Sequence, residues 1–189
     1  MKANYESVLF IKLNLLKSNF NFYKQKIGKK VKIIAVVKAY AYGHGDIKIC
    51  KALEKLKVDY FWVADFEEAV SLRKNNITTP IIVANPGYKN YNIFIKYNLE
   101  PLVFNLKSLK SFNRNKKINC HLKFNTGMNR FGFESDQKEE VVKFLNQNKN
   151  INVKTICSHL ADVNNKSFMN NQRKEFDLVC NYFLKNFNK

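Results

Sequence analysis

Residues 32–84 read KIIAVVKAYAYGHGDIKICKALEKLKVDYFWVADFEEAVSLRKNNITTPIIVA, and this stretch decides the fold. It holds three apolar runs of strand length, KIIAVVK, YFWVA and PIIVA. The two longer segments between the runs place apolar residues three and four positions apart, which is typical of helices that cover a sheet. Strands that alternate with helices in this way indicate βα units and a parallel sheet. The stretch therefore predicts an α/β fold.

The same alternation extends along the rest of the chain. Strands are predicted at Lys32–Lys38, Tyr60–Ala64, Pro80–Ala84, Glu100–Phe104, Ile118–Phe124 and Val153–His159. Helices are predicted at Leu13–Ile27, Ile47–Leu56, Phe66–Lys74, Tyr91–Tyr97, Leu106–Asn113, Gln137–Gln147 and Phe168–Phe187. Units spaced like this fit a (β/α)8 barrel or an open doubly wound sheet, and a complete barrel has eight strands and typically ~250 residues. We therefore expect a single domain over residues 1–189, an incomplete (β/α)8 barrel of about six units.

Composition excludes several classes of protein. With 46% hydrophobic and 14% aromatic residues, the chain can bury a core, so it is neither disordered nor collagen-like. A formal charge of +18 raises nucleic acid or an anionic membrane as a partner. The basic residues are mostly single lysines, without a basic helix or interleaved aromatic motif, and no apolar run approaches the ~20 residues of a membrane span. We expect neither nucleic acid nor a membrane as a partner.

The cysteines are far apart in sequence and form no C-x-x-C pair, which indicates free thiols in a reducing compartment. The first residues lack the long apolar stretch and the cleavage site of a secretory signal. No His/Glu spacing typical of a metal site and no P-loop is present. The sequence therefore predicts a cytoplasmic protein without a bound metal.

The first candidate site follows the first predicted strand, where Lys38 leads into Ala39-Tyr40-Ala41-Tyr42-Gly43-His44-Gly45. An amine at the carboxyl end of a parallel strand points toward the edge where βα loops build active sites. Partial burial lowers the proton affinity of a lysine and frees its lone pair for a bond to a carbonyl carbon. Taken alone, the same residues also fit a solvated lysine followed by a tight turn.

Two further clusters follow later predicted strands. HLKFNTGMNRFG, residues 121–132, carries Arg130, whose fixed fork of donors can hold an anionic oxygen. SHLAD, residues 158–162, places His159 at a strand end as a possible acid, base or orienting group. By itself, a surface arginine without a role explains Arg130 equally well, and a core histidine is the favoured explanation of His159.

Taken together, VVKAYAYGHG, FWVADFEEAVSLRKNNITTPIIV, HLKFNTGMNRFGF and CSHLAD resemble the N-terminal barrel of alanine racemase over nearly the whole chain. The resemblance implies an isomerase that uses pyridoxal 5'-phosphate to interconvert L-alanine and D-alanine for peptidoglycan precursors. Lys38 matches the lysine that forms the internal aldimine and serves as one acid/base group, and Tyr42 matches the tyrosine on the cofactor phosphate. The second base in the family is a tyrosine from the C-terminal β-domain of the other subunit of a homodimer.

The resemblance assigns roles to residues of the later clusters as well. Arg130 matches the arginine that donates to the phenolic oxygen of the cofactor and borders the substrate site, which Met128 also lines. Lys123 matches a lysine that is carbamylated in some members, and His159 matches the histidine beside the cofactor ring.

The chain departs from the family at several points. Tyr40 stands where the family usually has Asn, and Asn125 where it usually has Asp. We expect the last two barrel strands and the C-terminal β-domain to be absent, with a complementary C-terminal fragment as a possible partner and weak or no activity in the isolated chain. Two alternatives stay open: a non-catalytic pyridoxal-phosphate protein of cofactor homeostasis, and a decayed racemase remnant.

Overall fold

The computed structural model describes residues 7–187, which fall into two compact units, one ending at Ile82 and the other beginning at Val83. The strands are β1 Ile34–Val36, β2 Tyr60–Asp65, β3 Ile81–Asn85, β4 Glu100–Val103, β5 Ile118–Lys123 and β6 Ile151–Cys157. The helices are α1 Leu13–Ile27, α2 Lys38–Tyr42, α3 Asp46–Lys55, α4 Phe66–Lys74, α5 Tyr91–Tyr97, α6 Leu106–Phe112, α7 Lys138–Gln147 and α8 Lys166–Asn186, with a 3₁₀ turn at Ser135–Gln137.

In the first unit, β1 pairs with β2 in parallel, with Ile34 opposite Tyr60 and Val36 opposite Trp62. Side chains from β2, α3 and α4 form the buried core of this unit. On β1, by contrast, the side chains of Ile34 and Val36 are 41% and 45% exposed. The first strand therefore presents apolar side chains to solvent within its own unit.

Local signals in the sequence set the ends of the helices. Asp65 caps α4 by accepting the backbone N–H of Glu68, and Arg73 in the last turn donates to the carbonyls of Ile77 and Thr79. Asn105 and Ser108 form a reciprocal capping box at the start of α6. The contacts of Asp65 and Asn105 satisfy backbone N–H groups that the start of a helix leaves unpaired, so α4 and α6 begin at defined residues.

In the second unit, β4, β5 and β6 pair in parallel, with Leu102 opposite His121 and Lys123 opposite Cys157. Their inward side chains meet those of α7 and α8 in one core cluster, in which Phe124 contacts both Phe133 and Phe183 through their rings. The buried strand faces explain why these strands read as nearly continuous apolar runs.

The predicted strands and helices are confirmed, and their ends agree with the structure to within two residues. Two elements were not predicted: the 3₁₀ turn at Ser135–Gln137, and a short helical turn at residues 38–42 in which residues 39–42 have left-handed φ values. The first strand is consequently shorter than predicted. It ends at Val36, so Lys38 lies in the turn and not on the strand.

Within residues 7–187, no helix combines the length and the apolar content that crossing a membrane requires. The same residues contain no group of three or more His, Cys, Asp or Glu side chains placed to hold a metal ion. All four cysteines are free thiols.

A network of polar side chains connects β4, β5 and β6 of the second unit, with Glu100 and His121 buried at its centre. His121 Nε2 lies 2.7 Å from Glu100 Oε2, and its Nδ1 lies 2.7 Å from the hydroxyl of Thr155. Asn119 donates to the other oxygen of Glu100 at 3.0 Å. Burial alone would raise the pKa of Glu100, but the hydrogen bonds from His121 and Asn119 and the positive charge of Lys154 outweigh it and hold that pKa below its usual range.

Acidification is expected to destabilise the second unit through Glu100. Its folded-state pKa lies below the unfolded value of ~4.3, so the ionised group stabilises the fold above that pH and the contribution is lost as the pH falls through the folded-state pKa. Glu100→Gln should remove this part of the pH dependence. It should also lower the free energy of unfolding at neutral pH by about 1–3 kcal/mol, because the two donors meet different oxygens of Glu100 and glutamine places an NH₂ group, itself a donor, in front of one of them.

Urea unfolding followed by circular dichroism between about pH 3 and pH 7 measures both effects. Glu139→Gln, at an exposed position of α7, is the matched control and should leave the profile unchanged. A pH profile in Glu100→Gln that coincides with that of the unaltered chain would contradict the assignment.

Candidate active site

The first cluster is held in an unusual backbone conformation. Ala39, Tyr40, Ala41 and Tyr42 all have φ between 51° and 56°, the left-handed region that side chains with a Cβ disfavour. Such residues cost roughly 1–2 kcal/mol each. The turn therefore requires compensating contacts, and its strain is stored directly after Lys38.

Hydrogen bonds from several elements supply that compensation. Within the turn, Ala41 N–H donates to the Val37 carbonyl at 2.9 Å and Gly43 N–H to the Ala39 carbonyl at 2.9 Å. The carboxylate of Glu68 accepts from Ala39 N–H at 2.6 Å and from Ala64 N–H at 2.7 Å, one bond to each oxygen. Glu68 thus ties the lysine turn to the end of β2. Its place in the first turn of α4 also puts its negative charge at the favourable end of the helix dipole.

The side chains on this turn differ in their exposure. Lys38 is half-buried, and its Nζ lies 5.9 Å from the centre of the Tyr42 ring. Tyr42 itself is 59% exposed, so its side chain lies at the surface and not in the core. The turn therefore holds an amine beside an accessible aromatic ring.

The second cluster begins at the end of β5 with a buried lysine. Lys123 is 7% exposed and lies opposite Cys157 in the pairing of β5 with β6. Burial lowers the pKa of the Lys123 amine, and although the Cys157 thiol acts in the opposite direction, the positive charge of Arg130 lowers it further. Burial also raises the pKa of Cys157 to about 11, so this thiol is not a nucleophile at neutral pH.

The loop that follows β5 is organised by Asn125. Its side-chain oxygen accepts from the backbone N–H of Gly127 at 3.1 Å and of Asn129 at 2.9 Å. Its amide nitrogen donates to Asn129 Oδ1 at 2.9 Å and to the carboxylate of Glu134 at 3.0 Å. An aspartate could not donate, and it would face the Glu134 carboxylate with a like charge. Asparagine at this position therefore suits the loop of this chain.

This loop presents two of the predicted site residues. Arg130 is exposed and Met128 is half-buried. Beyond them, Phe133 returns to the strand end, where its N–H donates to the Lys123 carbonyl at 2.8 Å and its carbonyl accepts from Asn125 N–H at 2.7 Å. The loop is therefore closed at its base.

The third cluster follows β6 and is linked to the second. Ser158 donates to the Phe124 carbonyl at 2.9 Å, and its hydroxyl lies 2.7 Å from that of Thr126. His159, the next residue, has an exposed side chain, whereas its carbonyl accepts from Gln172 of α8 at 3.0 Å. These contacts join the loops after β5 and β6.

The predicted site residues divide between the two units. Lys38 and Tyr42 lie in the first unit, on the strained turn. The others lie in the second unit, at or after the carboxyl ends of β5 and β6, and they are Lys123, Met128, Arg130 and His159. Sequence reasoning missed the supporting roles of Glu68 and Gln172, which are distant in the chain from the motifs they hold.

The arrangement supports carbonyl and anion chemistry. A half-buried amine can bond to an aldehyde carbon, an exposed arginine can bind an anionic oxygen, and an exposed imidazole can bind or orient a polar ring. The second unit adds a buried lysine whose lowered pKa increases its neutral fraction. Each unit thus carries groups suited to this chemistry: an amine in the first, and an arginine, an imidazole and a buried lysine in the second.

Comparison with known proteins gives a consistent result. Residues 11–188 match the family model described as alanine racemase, N-terminal domain. The chain is 33% identical over 174 residues to the alanine racemase of Borreliella burgdorferi (strain ZS7), covering 89% of this chain and 46% of that protein. It is 39% identical over 162 residues to the alanine racemase of Rickettsia prowazekii (strain Madrid E), covering 81% of this chain and 39% of that protein.

Solved structures agree with these relatives. An alanine racemase of Clostridium difficile 630 in complex with cycloserine matches with a TM-score of 0.87 and 30% identity, over 92% of this chain and 50% of that chain. An alanine racemase of Bacillus anthracis with bound L-Ala-P matches with a TM-score of 0.81 and 25% identity, over 92% of this chain and 47% of that chain. The predicted α/β fold, an incomplete barrel, is confirmed. The chain spans about half the length of the relatives it matches.

Proposed function

Because this chain belongs to the alanine racemase family, whose N-terminal domain it matches, we propose that it binds pyridoxal 5'-phosphate through Lys38 and serves the interconversion of L-alanine and D-alanine. Alanine racemases use this cofactor. In this proposal, residues 1–189 are the cofactor-binding barrel domain of such an enzyme.

The observation that carries the proposal is the strained turn after β1. Backbone strain of this kind persists only where the surroundings enforce it, and it concentrates at functional sites. Glu68 and the hydrogen bonds within the turn enforce it here, so the backbone of Lys38 is fixed and its amine stays half-buried. A lysine held in this way is suited to a covalent bond with an aldehyde.

The donor set of the chain fits the cofactor. Lys38 supplies the amine for the aldehyde carbon, and the exposed hydroxyl of Tyr42 can donate to the phosphate. Arg130 offers charged donors to the phenolic oxygen, and the exposed imidazole of His159 can lie beside the ring. Each of these four groups matches one feature of pyridoxal phosphate.

When bound, the cofactor supplies the electron sink that stabilises negative charge on the Cα of alanine. Lys38 Nζ takes the Cα proton on one face or returns it there, and Met128 borders the substrate. The opposite face needs a second base, which we assign to a tyrosine of the C-terminal β-domain contributed by the other subunit of a homodimer. Alanine as substrate is supported by the names of the relatives.

We assign carbamylation to Lys123. Burial lowers the pKa of its amine, and the neutral amine can add CO₂ to give a carbamate with release of one proton. The carbamate would replace the repulsion between Lys123 and Arg130 with attraction, which would hold the guanidinium in place. A cytoplasmic enzyme that supplies D-alanine for peptidoglycan precursors fits this chemistry and the free thiols of the chain.

Reduction of the cofactor adduct with borohydride, followed by peptide mass mapping, tests the proposal. The chain carries many surface lysines, so absorbance alone would include non-specific adducts. We expect one equivalent of phosphopyridoxyl label, located at Lys38. Label spread over exposed lysines such as Lys48 and Lys51 would contradict a specific site.

Conversion of L-alanine to D-alanine, measured on the same preparation, separates an enzyme from a cofactor carrier. Activity that depends on added pyridoxal phosphate supports the racemase. Specific label at Lys38 without any conversion, even in the presence of a complementary C-terminal fragment, would favour the non-catalytic carrier.

A further inference from the structure

Gln172 is the polar member of the buried face of α8, whose other buried residues are Val179 and Phe183. It is 1% exposed, and both ends of its amide form hydrogen bonds. The side-chain nitrogen donates to the His159 carbonyl at 3.0 Å, and the side-chain oxygen accepts from Ala161 N–H at 2.9 Å. A carbonyl can only accept and a backbone N–H can only donate, so these two partners fix the orientation of the amide.

The same amide reaches the loop after β5. Its nitrogen lies 3.4 Å from the hydroxyl of Thr126, which in turn lies 2.7 Å from that of Ser158. Gly127 leaves room for the helix here, because a Cβ at that position would lie 3.3 Å from Gln172 Cγ. One buried side chain therefore contacts the loops after both β5 and β6.

Those two loops carry exposed groups of the candidate site. The imidazole of His159 is exposed, and the backbone carbonyl of the same residue accepts a hydrogen bond from Gln172. Arg130 lies four residues beyond Thr126 in the same closed loop. Packing alone does not require an amide at position 172, since an apolar side chain of equal length would fill the volume. An apolar side chain would, however, leave the His159 carbonyl and the Ala161 N–H without these hydrogen bonds, so the amide fixes the backbone at both positions.

We propose that Gln172 is a positioning residue of the cofactor site, which sets the imidazole of His159 and the loop of Arg130 through its hydrogen bonds to His159, Ala161 and Thr126. The inference rests on the proposed function. Gln172 acts through the backbone of His159, so its effect is on the geometry of the site.

Two substitutions separate positioning from packing. Gln172→Met keeps the length and removes every hydrogen bond of the side chain. Gln172→Glu keeps the shape and the acceptor for Ala161 N–H but, when ionised, loses the donor that faces the His159 carbonyl and the Thr126 hydroxyl, so it separates these two contacts from the contact with Ala161. Gln147→Met, at an exposed position on α7, is the matched control.

Titration of each variant of the chain over residues 1–189 with pyridoxal phosphate gives the dissociation constant and the absorbance maximum of the bound cofactor. We expect Gln172→Met to raise Kd by about tenfold and Gln172→Glu to raise it by a smaller factor, with a shifted maximum in both. Amide hydrogen exchange at Ala161 should accelerate in Gln172→Met and stay slow in Gln172→Glu. Gln147→Met should match the unaltered chain.

The outcomes are distinguishable. An unaltered chain that gives no saturable adduct at Lys38 overturns the proposed function and this inference with it. An unaltered chain that binds, together with a Gln172→Glu variant of the same Kd and absorbance maximum, overturns the positioning role alone. Should Gln172→Met fail to fold, Gln172→Glu and the exchange rate at Ala161 decide the question.

Discussion

Replacement of Lys38 by alanine is expected to abolish the saturable absorbance band near ~420 nm that forms when the chain is mixed with pyridoxal phosphate. The variant keeps the backbone turn but removes the one amine that the strained segment holds half-buried. Lys57, a lysine with a positive φ of its own, donates its backbone N–H to the Glu54 carbonyl, whereas the turn after Lys38 is held by the Glu68 carboxylate. The effect should therefore be complete loss of specific binding and not a reduction.

Two variants control for charge and for surface chemistry. Lys38→Arg keeps a positive charge, but its guanidinium stays protonated and cannot form the covalent bond with the aldehyde. This variant should therefore also lose the absorbance band. Lys48→Ala removes an exposed amine from α3 and should leave the band intact. A band of equal amplitude and saturation in Lys38→Ala would show that the cofactor binds elsewhere and would contradict the proposed site.

The fold was predictable because its determinants are local. Each strand is a short apolar run and each covering helix has apolar residues three and four apart, so periodicity located them to within two residues. Capping residues such as Asp65 and Asn105 lie directly at the helix ends that they stabilise. Signals of this kind need no knowledge of which elements meet in space.

The conformation of the lysine turn was not predictable for the opposite reason. Residues 39–42 are alanines and tyrosines, none of which favours a positive φ. What makes the turn stable is a carboxylate 29 positions away in sequence, since Glu68 accepts the N–H of Ala39. Conformational propensities depend only on the residues of the turn, whereas the left-handed conformation is stabilised by tertiary contacts.

The supporting residues of the second unit show the same limit. Gln172 lies 13 positions from His159 and 46 from Thr126, and nothing in its own helix marks it as more than a polar residue. His121 lies within the predicted strand Ile118–Phe124, but its partner Glu100 comes from the preceding strand, 21 positions earlier. The motifs show which side chains are chemically capable, and the packing shows which side chains hold them.

Substitution of Gly132 by alanine is expected to be the most destabilising single change in the second unit. Gly132 has φ +146°, and a Cβ there would lie 2.2 Å from the backbone nitrogen of Asn125 and 2.6 Å from the carbonyl carbon of Phe124. Both contacts are with backbone, which cannot rotate away. Relief of the clash must break the hydrogen bonds of Phe133 to Lys123 and Asn125 that close the base of the loop.

We expect this change to lower the free energy of unfolding by roughly 3–5 kcal/mol, from conformational strain and backbone displacement together. Gly28→Ala is the matched control, because Gly28 also has a positive φ, +79°, but nothing lies within 4 Å of its Cβ position. That variant carries the conformational cost alone, about 1–2 kcal/mol. Urea unfolding monitored by circular dichroism measures both values. Equal losses in the two variants would mean that the loop base is open in solution, so that Arg130 would not be held by the closed loop described above.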